Sequence, residues 1–146
     1  MVSLTELIDQ LQRNSDSGVI ERTLDSLSAA LSDPALRDQV LPRVNQLMDT
    51  CVGVFNRYLS ADSMEELRHL GPLRRCATTM EQMIRSPAFG PRVTPKTLTS
   101  YIRAILPLAS DRNTAESMLI IGRASLVLGT HLDRNHLFVA LLRECT

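Results

Sequence analysis

Leu4, Leu7, Ile8 and Leu11 recur at i, i+3, i+4 and i+7, and this helical rhythm returns in almost every later segment. That spacing lays apolar side chains along one face of a helix, whereas a half-buried strand alternates with period two. No stretch sustains the strand alternation. The period therefore restricts the chain to an all-α fold.

Punctuation residues divide the pattern. Ser3 precedes the first stripe with Glu6 three residues on, a capping-box spacing. The polar run "RNSDSG" separates it from a second stripe of Ile20, Leu24, Leu27 and Leu31. In "LSDPALRDQVLPRV", Ser32 or Asp33 can accept from free helix amides, and Pro34 needs no amide partner in a first turn. A short helix "ALRDQV" is expected there, then a long one carrying Val44, Leu47, Met48, Cys51, Val52 and Phe55 inward. Gly71-Pro72 is read as an interruption, with a new helix from Pro72 burying Leu73, Cys76, Met80 and Ile84. Thr94-Pro95 starts the next, which Pro107 should kink. The helix holding Met118, Leu119, Ile121, Leu126, Val127 and Leu128 is apolar around most of its circumference, so it is expected to be buried between neighbours.

The major helices expected are 4–13, 18–31, 41–59, 72–85, 95–109, 114–130 and 135–144. Taken in pairs they approach the HEAT period. A stacked array covers the apolar face that each pair alone would expose. The expectation is thus a HEAT-like, TOG-like array in one domain over 1–146, with about three helix pairs plus a terminal helix. A compact seven-helix bundle is the competing arrangement. The last helix, "HLFVALLREC", is apolar on nearly all sides, so Val139 and Leu142 are candidates to meet a partner or further repeats.

Composition narrows the function. Arg plus Lys equals Asp plus Glu at 16 each, leaving no global field for nucleic acid or an anionic membrane. Trp is absent and aromatics are 3%, too few for a base-stacking platform. Three widely spaced cysteines, Cys51, Cys76 and Cys145, form no disulfide framework and suggest a reducing, intracellular setting. No apolar run approaches a membrane span, and "MVSLTELIDQ" is unlike a signal peptide.

Nothing suggests catalysis. His131 and His136 stand five apart across a turn, unlike zinc ligands on one helix face, and His69 is distant. There is no phosphate-binding glycine loop, no GxSxG elbow and no paired carboxylates. No metal, cofactor or enzymatic activity is expected. Arg74-Arg75 is the densest basic spot, suited to a solvated face or a protein contact.

Three runs carry a family resemblance: "TLDSLSAALSDPALRDQVLPRVNQLMDTCVGVFNRYL", "LRRCATTMEQMIRSPAFGPRVTPKTLTSYIRAILPLASD" and "SMLIIGRASLVLGTHLDRNHLFVALLREC". In helix order and spacing the chain resembles, from residue 19 onward, the late TOG-like HEAT segment of the ch-TOG/Minispindles microtubule polymerases. The resemblance implies a cytoplasmic role at microtubules, spindles and centrosomes. It also implies, for this end of the family, attachment to TACC coiled-coil adaptors.

Standard TOG domains of that family hold tubulin through loops on one edge, with a Trp in the first. Here "RNSDSG" has no Trp. The three candidate edge loops hold Arg13 and Arg112 against Asp16, Asp62 and Asp111. That balance argues against acidic tubulin and for a protein-interaction or targeting module. A tubulin-binding TOG domain and a generic helical scaffold are the alternatives. Candidate partner-binding residues are Arg13, Asn14, Arg74, Arg75, Asp111, Arg112, Val139 and Leu142.

Overall fold

The computed structural model describes residues 3–14, 16–59, 67–106, 120 and 122–130. Among them there is no strand. The helices are α1 (Leu4–Arg13), α2 (Ser17–Ser32), α3 (Arg37–Val40), α4 (Val44–Leu59), α5 (Leu67–Arg85) and α6 (Pro95–Ile105), with a further helical stretch at 122–130. The expected helix at 135–144, Pro107 and, of the expected helix 114–130, residues 114–119 and 121 lie outside the described residues.

The helix starts follow the punctuation. Ser3 accepts from the Glu6 amide at 3.2 Å and Thr94 from the Thr97 amide at 3.2 Å. Asp33 closes α2 and accepts from the Ala35 amide at 2.9 Å, so it serves both sides of the elbow. Around it the chain tightens into 3-10 turns at Pro34–Leu36 and Leu41–Arg43, so α3 is a single turn and α4 begins at Val44 rather than Leu41. Pro34 and Pro42 each occupy an early position in these turns, where no amide donor is needed.

The expected break at Gly71-Pro72 does not occur. α5 runs unbroken from Leu67 to Arg85 with Pro72 inside it. Little more than one turn precedes this proline, so the lost donor and displaced carbonyl disturb few bonds. The Pro72 ring is itself buried.

The helices form an array of pairs in two layers. α1 packs on α2 and α4, α4 on α5 and α6, and α2 on α5. One layer is therefore α1, α4, α6, and the other begins α2, α5. Hydrogen bonds fix the directions. Arg43 at the start of α4 donates to Thr5 Oγ1 at the start of α1, and Arg57 near its end donates to the Leu11 and Asn14 carbonyls, each at 2.8 Å. α1 and α4 are thus parallel. Asn45 accepts from the Thr94 amide at 3.0 Å and donates to the Arg92 carbonyl at 2.9 Å, which aligns the start of α6 with that of α4.

In the second layer Ser28 and Ser32 of α2 meet Gln82 of α5, while Glu21 and Asp25 meet Arg75, so those two helices are also parallel. Residues 122–130 join this layer through Arg123, which pairs with Glu81 of α5.

Leu11, Ile20, Leu24, Leu27, Leu47, Met48, Phe55, Met80, Leu98 and Tyr101 fill the space between layers. These are largely the residues that helical spacing turns inward. The stretch 122–130 departs from expectation. Ala124 is buried and Val127 and Leu128 partly so, but Leu126 is 75% exposed. Ile120, Ala124, Val127 and Leu128 share one face, and Leu126 lies away from it.

Candidate protein-interaction surfaces

The edge where α1 ends and α2 begins holds two of the candidate residues. Arg13 pairs with Asp9 one turn back at 2.8 Å, on an exposed surface where such pairs contribute little. Asn14 ends α1: its amide donates to the Gln10 carbonyl, and its Oδ1 accepts from the Asp16 amide at 3.0 Å. Asp16 then caps α2 by accepting from the Gly18 amide at 2.8 Å. Arg57 adds its two donors to the open carbonyls of α1. Arg57 is therefore engaged within the fold, and among the described residues of this edge Arg13 and Arg57 stand against Asp9 and Asp16.

The seam between α2 and α5 holds the other described candidates. Arg75 is half-buried and reaches Glu21 at 2.8 Å and Asp25 at 3.1 Å. Gly71 makes this possible. A Cβ there would collide with the Glu21 carboxylate, so the missing side chain leaves the acid room against the α5 backbone. Below the ion pairs, Ser28 donates to Gln82 Oε1 at 2.7 Å, while the Gln82 amide donates to the Ser28 carbonyl and Ser32 Oγ. Arg74 is exposed and, with Thr78 and Asp25, lines a shallow cleft of about 270 Å³. A second cleft of about 250 Å³ lies among Leu4, Leu7, Leu36 and Val40.

Asp111, Arg112, Val139 and Leu142 lie outside the described residues. The structure thus brings Arg74 and Arg75 to one seam and Arg13 and Asn14 to a different edge.

Helical spacing did not single out Glu81. It is a carboxylate on the buried face of α5, 3% exposed, paired with Arg123 at 3.4 Å. Burial raises its pKa, and the guanidinium groups of Arg123 and Arg85 oppose that rise. Tyr101 of α6 is fully buried, its hydroxyl has no hydrogen-bond partner, and burial followed by the Glu81 charge raises its pKa. The only available signal was an acid at an apolar position between Met80 and Met83.

The described residues contain no group of His, Cys, Asp and Glu able to hold a metal ion. Cys51 and Cys76 are free and buried. Desolvation pushes the first thiol up to about 12 and the second well above its ordinary value, so neither is a nucleophile at neutral pH. No described helix is long and apolar enough to cross a membrane.

The equal charge totals conceal a strong partition. Between 67 and 106 the sequence carries seven Arg or Lys and one acid, Glu81, which is buried. The acids are concentrated in the preceding part, where Asp9, Asp16, Asp25, Asp33, Asp38 and Asp49 are all exposed. No protein-family model matches the chain, and no curated protein or solved structure matches it.

Proposed function

We propose that this chain is a non-enzymatic protein-interaction module, TOG-like in its architecture, that docks a helical adaptor and helps target a microtubule regulator to spindles and centrosomes. The family resemblance supplies the cellular setting and points to an adaptor of the TACC coiled-coil type. The observation that carries the reading is the two-layer array of parallel-stacked helix pairs, the architecture that the resemblance implies. The α1–α2 edge supports an adaptor over tubulin, because Arg13 and Arg57 are engaged by Asp9 and by the end of α1. Deep burial of Cys51 and Cys76 supports a binding role over nucleophilic chemistry.

The test is gel filtration of the purified chain with a TACC coiled coil and, separately, with free tubulin at micromolar concentrations, alongside imaging of the tagged chain in dividing cells. Co-migration with the coiled coil and accumulation at spindle poles are expected. Co-migration with tubulin instead would replace this reading with that of a tubulin-binding TOG domain.

A further inference from the structure

We infer that the solvent stripe of α6 is a docking surface for an acidic amphipathic helix of a partner protein. The inference rests on the adaptor-docking reading above and adds the surface and the chemistry of its occupant.

The buried face of α6 carries Thr97, Leu98, Tyr101, Ala104 and Ile105. On the other side Lys96, Ser100 and Arg103 follow at i, i+4 and i+7, and exposed Leu106 borders the stripe one turn later. Arg92, also exposed, precedes the helix by one turn. Among the described residues no ion pair engages the cationic groups of Arg92, Lys96 or Arg103. Their setting differs from that of Arg75 and Arg123, each held by an acid of the neighbouring helix.

Lys96 sits in the first turn of α6, where the helix dipole disfavours a cation. Arg92 lies four residues before it, and Glu81 is the only acid in the sequence from 67 to 106, so this segment supplies little of its own to offset the repulsion. A carboxylate brought by a partner does.

Charge complementarity therefore selects an acidic occupant, and the geometry selects a helical one. The seven steps from Lys96 to Arg103 span about 10 Å of helix axis. A partner helix with acids seven positions apart matches that interval, and an apolar residue one turn on meets Leu106, which is 56% exposed. Nucleic acid fits less well. The one aromatic residue of α6, Tyr101, is fully buried, so α6 offers no stacking surface beside its cations.

The experiment is fluorescence anisotropy with the full chain and a labelled synthetic helix bearing glutamates seven positions apart and a leucine three positions further on. Expected are salt-sensitive binding, no binding of the matching lysine peptide, and about tenfold weaker binding to K96E/R103E at an unchanged Tm. The reversed variant should gain affinity for the lysine peptide, and the neutral K96Q/R103Q should fall between. Equal binding of the glutamate helix by wild type and K96E/R103E overturns the inference, as does single-stranded RNA binding wild type as tightly as the glutamate helix. A TACC coiled coil retained equally by wild type and K96E/R103E also overturns it, while leaving the adaptor reading standing. A glutamate helix that binds through these residues when no TACC coiled coil does sinks only the adaptor reading.

Discussion

Glu81 of α5 and Arg123 of the stretch 122–130 form an ion pair at 3.4 Å in which the carboxylate is 3% exposed and the guanidinium 50%. The acid is thus desolvated while its counter-charge stays half in water. Arg123→Met should destabilise the fold by about 1–3 kcal/mol, because it leaves a buried charge without its main partner. Urea unfolding of the variant beside Glu81→Gln/Arg123→Met checks this. The double variant should recover much of the loss.

The same carboxylate sets a pH dependence. Its folded pKa lies above the ordinary glutamate value, so the folded state binds the proton more tightly than the unfolded chain. The stabilisation from protonation is complete below the ordinary value and is lost as pH rises through the folded value. Urea midpoints measured across this window should therefore rise on acidification more in the wild type than in Glu81→Gln. Parallel profiles would show that Glu81 has no such shift.

Two helical glycines should respond oppositely to alanine. Gly53 has nothing within 4 Å of a built Cβ and lies on the exposed side of α4, so Gly53→Ala should stabilise by about 0.5–1 kcal/mol. Gly71→Ala instead forces the Glu21 carboxylate away from its place beside Arg75. It should lose that gain and destabilise by about 1 kcal/mol or less, since the pair is part-exposed. In a Glu21→Ala background Gly71→Ala should become neutral or stabilising, and thermal melts of the four proteins measure the coupling.

Cys51 and Cys76 should resist a thiol reagent at pH 8 in the folded protein and react once it is denatured. Both are buried with raised pKa values. Mass spectrometry of the labelled peptides follows each site separately. Rapid labelling of either in the folded protein would contradict the packing of α4 against α5.

Helical periodicity made most of the core legible because burial on a helix repeats locally, as at Leu4, Leu7, Ile8 and Leu11. Caps at Ser3, Asp33 and Thr94 were legible for the same reason: donor and acceptor lie within three residues. Features set by distant neighbours were not. The need for glycine at 71 depends on Glu21, fifty residues earlier, and the burial of Pro72 inside an unbroken α5 depends on the packing around that helix. Glu81 is explained by Arg123, which no local pattern pairs with it. For the interaction surface, summed charge hid what position along the chain would have revealed: bases gathered from 67 to 106, and α6 leaving Lys96 and Arg103 outward.

The closure of α1 by Arg57 also bears on the order in which a growing chain acquires its shape. α1 has ten residues, too few to persist alone in water. The donors for its Leu11 and Asn14 carbonyls arrive 46 and 43 residues later in the chain. α1 leaves the ribosome before α4 and therefore settles only after α4 has emerged. Protease digestion of stalled nascent chains should show α1 cleaved readily until Arg57 clears the exit tunnel, and protected afterwards.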